Sequence, residues 1–290
     1  MTSAARAAAD RRTPDPWLNI VRVVWLAAAL LPDSLSTSGA SVVAAVIVWA
    51  AWASVAIGVL VAHPLSLTTV RFVAPLVVVH AGASIADGDA SAWQVAGVFA
   101  MFASTLFAFS SQYGAPHAQA AAYGHERRHL LRPPVAVLLP LGVLWVVVAS
   151  CLAVAVRAES KVFATAGAIA GVAVCVFAVR RALLLARRWL VFVPAGIAVH
   201  DPLVLRDTFM VRLHDLRALH HASADTQAFD ATCTTWGVPL ELVLAHPHDV
   251  SLSQFGTRVS HTLDRLHVTA LLVAPSRPAH AAADRKTQRA

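Results

Sequence analysis

The 290-residue chain is 58% apolar and 13% charged, with a mean hydropathy of +0.64, where soluble domains carry about a quarter charged residues, so an integral membrane protein is expected and an ordinary soluble domain is excluded for most of the length. Its net charge of +7 lies wholly in residues 1–188, with 14 Lys/Arg against seven Asp/Glu, while residues 189–290 balance nine against nine. A nucleic-acid-binding surface would carry its basic excess on the soluble part, so no nucleic acid is expected as a partner, and the charge reads as a topology signal with weak attraction to anionic headgroups.

In chain order, residues 1–16 form a charged tail with Arg6, Arg11 and Arg12. No small-residue cleavage site follows it, so a retained N-terminus is expected. Six runs then approach the roughly 20 apolar residues needed to cross a bilayer: 17–36, 41–62, 68–85, 92–111, 134–156 and 162–186. The first is the weakest, with Asn19 and Arg22 near its start and Pro32-Asp33 near its end.

Charge arbitrates between six spans and five. With six, the inner segments collect Arg6, Arg11, Arg12, Arg22, Arg71, Arg127, Arg128, Arg132, Arg180, Arg181, Arg187 and Arg188, and the outer loops keep only Arg157 and Lys161 beside Asp33, Asp87, Asp89 and Glu159. Dropping the first span moves the N-terminal arginines outside, against the positive-inside rule. Six spans with both termini cytoplasmic are therefore expected, in the inner membrane.

Small residues recur every fourth position at Ala50, Ser54, Gly58 and Ala62, and at Ala96, Ala100, Ser104 and Ala108, and the sixth run holds Gly167-x-x-x-Gly171. Such stripes let helices approach closely, within a bundle or between two copies of the chain. Polar groups that a transport path needs are sparse: His80 and Gln94 lie toward the outer side, and Arg22, Arg71 and Arg180 are near enough to the inner interface to snorkel.

The inner loop 112–132 contains Tyr123-Gly124-His125-Glu126-Arg127-Arg128-His129. On a helix, H-E-x-x-H puts two imidazoles on one face to grip zinc beside a carboxylate that activates water. Residues 119–131 are Ala-rich enough for a helix ended by Pro133-Pro134. A working zinc site needs a third ligand; His214 or Asp215 is the candidate from downstream, while Arg127, Arg128 and Arg132 disfavour a cation. The competing reading is a short basic interfacial helix.

Beyond Arg187-Arg188 the pattern changes. Residues 189–193, Pro194-Ala195-Gly196 and 197–200 read as strand, turn, strand, followed by strands at 208–213, 216–220, 229–232, 240–245 and 267–273 and a helix at 252–266. Residues 276–290 read as a disordered tail. Nine of the 14 histidines fall here, including His220-His221 and His246-Pro247-His248, without the spacing of a structural zinc site. Cys151, Cys175 and Cys233 read as separate thiols.

The run RRWLVFVPAGIAVHDPLVL at 187–205, with LRPP at 131–134 and APSRP at 274–278, resembles a family of uncharacterised actinobacterial multi-pass membrane proteins. The first hairpin and the later helix also look like bacterial PH-like domains that follow membrane spans. Phosphoinositide-binding versions of that fold place basic residues around the first hairpin; the turn here, Pro194-Ala195-Gly196, has none.

The expected fold is thus an α-helical membrane bundle of about six transmembrane helices (17–186) plus a small cytoplasmic β-rich, α+β, PH-like domain (187–275). The expected role is non-catalytic: an interaction, regulatory or scaffold component acting through 187–275 on another membrane or cytoplasmic protein, with membrane lipids and a second copy of the chain as further partners. A zinc metallopeptidase built on His125, Glu126 and His129, or a small-molecule transporter using His80 or Gln94, are the alternatives. No catalytic, cofactor-binding or metal-ligating residue is assigned, and no cofactor is expected.

Overall fold

The structure, a computed structural model, describes residues 16–35, 42–86, 88 and 90–289. The N-terminal tail with Arg6, Arg11 and Arg12, the junction between the first two expected spans, and Asp87 and Asp89 lie outside the described residues. The chain divides into two compact units, Met1–Pro116 and His117–Ala290.

The first unit is helical: α1 (Pro16–Ala28), α2 (Val42–Leu60), α3 (Pro64–Ala86), α4 (Ala92–Ala108) and the start of α5 (Ser111–Gln119), which bends 64° away from α4. In the second unit, α6 (Val135–Arg157) and α7 (Lys161–Ala186) form a helical hairpin. Six apolar helices thus occupy the six expected runs. By length and composition α3, α6 and α7 can each cross a membrane, and α4 with α5 makes a fourth if the bent pair is one span; α1 and the stretch Ala44–Leu60 of α2 are apolar but shorter. The first run falls short because α1 ends at Ala28, about 20 Å of helix, where the chain turns through Pro32 and Asp33, the latter at φ 59°. The Ser34 hydroxyl donates to the Ala28 carbonyl at 2.7 Å and closes that turn.

Arg22 and Arg71, expected to snorkel, are instead turned onto helix ends. Arg22 donates from Nε to the Val59 carbonyl at 2.8 Å and from Nη2 to that of Leu60 at 3.2 Å, and Arg71 donates to the carbonyls of Ala108 at 2.8 Å and Ser110 at 3.1 Å. The last carbonyls of an α-helix have no intrahelical partner, and a cation there complements the helix dipole. Gln94, buried on α4, donates to Ser84 of α3 at 3.2 Å, which makes it a helix-to-helix tie. Between α6 and α7 the glycine pair acts through close approach: a Cβ on Gly167 would lie 2.9 Å from the Cys151 carbonyl oxygen.

The rest of the second unit is two four-stranded sheets sharing one core. Strands β1 (Arg127–Leu130), β2 (Trp189–Val193), β3 (Gly196–His200) and β4 (Phe209–Arg212) follow one another antiparallel. The second sheet has the order β5-β7-β8-β6, from β5 (Leu216–His221), β6 (Phe229–Asp230), β7 (Leu240–Ser251) and β8 (Arg265–Val273), with β6 parallel to β8 and the other pairs antiparallel. Leu190, Phe192, Ile197 and Val211 from the first sheet meet Leu240, Leu242, Leu271 and Val273 from the second in one buried cluster. Two helices complete the unit, α8 (Gln254–Ser260) and α9 (Pro278–Arg289). The first of these occupies only the front of the helix expected at 252–266.

Three expectations change here. Strand β7 runs on through His246-Pro247-His248, because the ladder with β8 shifts register between Val243 and His248, and such an irregularity tolerates a proline that cannot donate to it. The tail expected to be disordered is a helix over most of its length, α9, with Ala281 buried in the core and Gln288 donating to the Gly196 carbonyl at 3.0 Å. And the β-rich part begins before the helical hairpin, since β1 pairs with β2 from Arg127↔Phe192 to Leu130↔Trp189. The hairpin is therefore inserted between two adjacent strands of one sheet.

Its root is held by a buried ion pair. Arg187 ends α7 and stays exposed, but Arg188 turns inward, 1% exposed, and its Nε and Nη2 donate to the two carboxylate oxygens of Asp201 at 2.8 and 2.7 Å. The third guanidinium nitrogen donates to the Arg132 carbonyl at 2.6 Å, and Asp201 also accepts from the backbone of Leu203 and Val204 at 3.2 and 3.3 Å. Removing one partner of such a pair strands the other charge and costs about 3–5 kcal/mol. Arg188→Ala is accordingly expected to loosen the β-rich part by that amount, Arg188→Lys to recover little because an ammonium lacks the two-pronged geometry, and the double variant Arg188→Met/Asp201→Leu to recover most of it, as read by pulse proteolysis of the full chain in nanodiscs.

Candidate functional site

The stretch that carried the zinc-site alternative has no helix. Gly124, at φ +54°, and His125 form a tight turn, with the Glu126 N–H on the Tyr123 carbonyl at 3.0 Å, and the chain enters β1 at Arg127. Helix propensity is a weak prior; the open edge of β2 offers these residues a full ladder instead. The change of period redistributes the side chains. A helix would put residues 125 and 129 on one face, whereas a strand puts residues 127 and 129 on one face and 128 on the other.

That redistribution accounts for the contacts. Arg127 Nη1 and His129 Nε2 both reach Asp284 of α9, at 2.7 Å to Oδ1 and 2.9 Å to Oδ2. His129 also stands edge-on to the Phe192 ring at 5.4 Å. On the other face Arg128 pairs with Glu126 at 2.8 Å and lies 4.5 Å over the Trp189 ring, a cation–π contact. Trp189 has the His200 ring 5.3 Å away in a stacked arrangement, and its indole N–H caps α7 through the Ala186 carbonyl at 3.0 Å.

The three sequence stretches that carried the family resemblance converge here. LRPP lies against APSRP, with the Arg132 N–H on the Ala274 carbonyl at 2.8 Å and the Ser276 N–H on the Leu130 carbonyl at 2.7 Å, while the RRWLVFVPAGIAVHDPLVL run contributes Arg188 and Asp201. The loop before β7 joins them: Arg132 Nη1 donates to the Trp236 carbonyl at 2.8 Å and the Thr235 hydroxyl to that of Pro133 at 2.9 Å. Asp284, Trp189, Thr235 and Trp236 were not singled out from the sequence. Only the alternation of Arg127 and His129 in a strand could have pointed to a shared acidic partner.

The electrostatics fit a clasp. Burial works to raise the Asp284 carboxyl, but the His129 hydrogen bond and the Arg127 charge outweigh it and hold it below the usual carboxylate range. The Arg128 hydrogen bond lowers Glu126, against a smaller opposing effect of burial. Burial lowers His200, with Arg128 and Arg187 acting in the same direction. Burial pushes the Cys233 thiol up to about 12, which leaves it a poor nucleophile. His214 and Asp215, proposed as sources of a third zinc ligand, sit together 3.5 Å apart, with His248 4.0 Å from Asp215. Among the described residues no three His, Cys, Asp or Glu side chains are placed to hold a metal ion.

No family model, curated protein or solved structure matches the chain.

Asp284 ties α9 to β1, and its depressed carboxyl fixes the sign of a pH effect. The stabilisation is present above the unfolded value of about 3.9 and is lost as pH falls through the lower folded value. The protection of amides around Ala281 against hydrogen exchange, taken relative to the unfolded-chain rate at each pH, is expected to fall as pH drops below about 4. Asp284→Asn should abolish that step and weaken α9 docking at neutral pH by about 1–3 kcal/mol.

Proposed function

We propose that this chain is a non-catalytic integral membrane protein whose β-rich unit is held against the cytoplasmic face as an interaction or scaffold module. One observation carries the reading: β1 and β2 pair across the inserted hairpin, so the two ends of α6–α7 leave the same sheet edge. The module therefore sits directly on the root of two apolar, span-length helices, clamped by Arg188 and Asp201. A flexible tether would leave its orientation free; this one fixes a single face toward the bilayer and another away from it.

Six crossings with both termini cytoplasmic remain the preferred topology. Of the loop arginines, Arg127, Arg128 and Arg188 are paired with Asp284, Glu126 and Asp201, yet all lie at the root of the hairpin together with Arg132, Arg180, Arg181 and Arg187, the side the positive-inside rule assigns to the cytoplasm. The PH-like resemblance is kept as a proposal for the module, on the strength of the β2–β3 hairpin around Pro194-Ala195 and the later helices. The peptidase alternative needs a shared helical face for His125 and His129, and the transport alternative draws no support from Gln94, which is committed to Ser84.

Two measurements test the proposal. A cysteine in place of the exposed His125 is expected to react with an impermeant maleimide only after cells are opened; labelling in intact cells would invert the orientation and remove the role. Photo-crosslinkers at Met210 of the edge strand β4 and at Leu263, both exposed, are expected to give a discrete protein adduct in native membranes. Adducts to lipid alone from both positions, or one zinc per chain that disappears with His125→Ala, would replace the scaffold reading.

A further inference from the structure

The loop 231–239 joins β6 to β7 and is built in an unusual way. Cys233 and Thr234 lie in the left-handed region at φ 52° and 58°, and Gly237 follows at φ 78°. Positive φ is uncommon outside glycine and an outlier for a β-branched residue, so something must hold this conformation. The ends of the loop are tied to the β-rich part, Thr232 to Asp230 and the Pro239 carbonyl to the Ala222 N–H, and residues 234–237 are anchored at the start of a membrane-length helix. The Val135 N–H, at the first residue of α6, donates to the Thr234 carbonyl at 3.3 Å, the Thr235 hydroxyl holds Pro133, and the Arg132 guanidinium holds the Trp236 carbonyl. That guanidinium also occupies the space beside Gly237, where a Cβ would lie 2.5 Å from it.

What the loop presents is apolar. Trp236 and Val238 are 52% and 57% exposed, whereas Leu240, Leu242 and Leu244 of the strand that follows are buried and Phe229 and Val243 are half-buried. Their neighbours in the anchored helix, Val135, Leu138 and Leu139, are exposed as well. The apolar surface of α6 therefore continues, across the Val135–Thr234 hydrogen bond, onto the loop.

We propose that the loop 231–239 is a membrane-insertion device: Trp236 and Val238 enter the boundary between lipid headgroups and acyl chains beside the first turn of α6. The occupant is the bilayer because the loop is stapled to residues 132–135, which stand where α6 leaves the membrane. Tryptophan suits that depth, since its ring is apolar and its N–H can still reach water or headgroups. Arg132, held between the loop and the helix, then lies at the level of the lipid phosphates. This inference rests on the membrane reading of α6 and α7, and its test separates the two.

The full chain is placed in nanodiscs with a ketone-bearing residue coupled to a nitroxide, which leaves the native cysteines in place, at position 236, 238, 146 or 263. Val146 lies along α6, and Leu263 precedes β8, whose nine residues separate it from the root at Ala274 by roughly 25–30 Å. The ratio of relaxation by oxygen to relaxation by a water-soluble nickel chelate is expected to be highest at 146, intermediate at 236 and 238, and lowest at 263. Values at 236 and 238 equal to that at 263 overturn the insertion alone, and so does shielding from both reagents, which would mean a protein surface covers the loop. An aqueous value at 146 overturns the membrane reading itself. Trp236→Phe supplies a second readout without labels: lipids brominated near the headgroup are expected to quench a smaller share of tryptophan emission than in the unaltered chain, and an unchanged share counts against insertion.

Discussion

A guanidinium and a carboxylate removed from water together govern the second unit. Arg188 and Asp201 are almost fully buried and joined by two short hydrogen bonds. Their remaining polar capacity goes to the Arg132 carbonyl and to the backbone of the 201–204 turn. Ion pairs of this kind add little net stability compared with an apolar filling, and their strength lies in what they forbid. A shifted register of β2 on β3, or a rotation of α7 about its end, would leave a charge unpaired inside the core. The pair therefore specifies one arrangement of the helical hairpin on the sheets.

That arrangement gives the short segments around it their purpose. Arg132 serves three neighbours at once, offering its carbonyl to Arg188, its N–H to Ala274 and its side chain to Trp236. Trp189 closes α7 with its indole and supports Arg128 with its face. Helix α9 adds a second fastening through Asp284 to Arg127 and His129, so that β1, which would otherwise be an outer strand held by one neighbour, is bound from its side-chain face as well. Outer strands with free backbone groups invite unwanted pairing, and covering is one of the ways of preventing it.

In the helical unit the same residue type solves a different problem. Arg22 and Arg71 close the C-terminal ends of α2 and α4 by donating to carbonyls that no helix can satisfy internally. Seen in this way, the basic residues of the chain divide their work. Some, such as Arg187, stay exposed, and others, neutralised by a carboxylate or absorbed by carbonyls, hold elements together.

The amino-acid sequence by itself determined the apolar runs, the change of character at Arg187-Arg188 and the β2–β3 hairpin around Pro194-Ala195, because these depend on local composition and on turn chemistry within a few residues. Helix positions were legible to within a turn for most of the runs, and the glycine pair at 167 and 171 was legible as a packing surface because its spacing matches the helix period. The tertiary structure alone decided that 127–130 is a strand, since its partner lies some 60 residues on and the local sequence favours a helix. It likewise decided that Arg188 is buried while Arg187 is not, and that residues 278–289 order as a helix, because the partners Asp201, His129 and Gly196 are remote in the chain. The helix expected over 119–131 gave way for the same reason: H-E-x-x-H shares a face only at 3.6 residues per turn, and pairing with β2 imposes a period of two on 127–130.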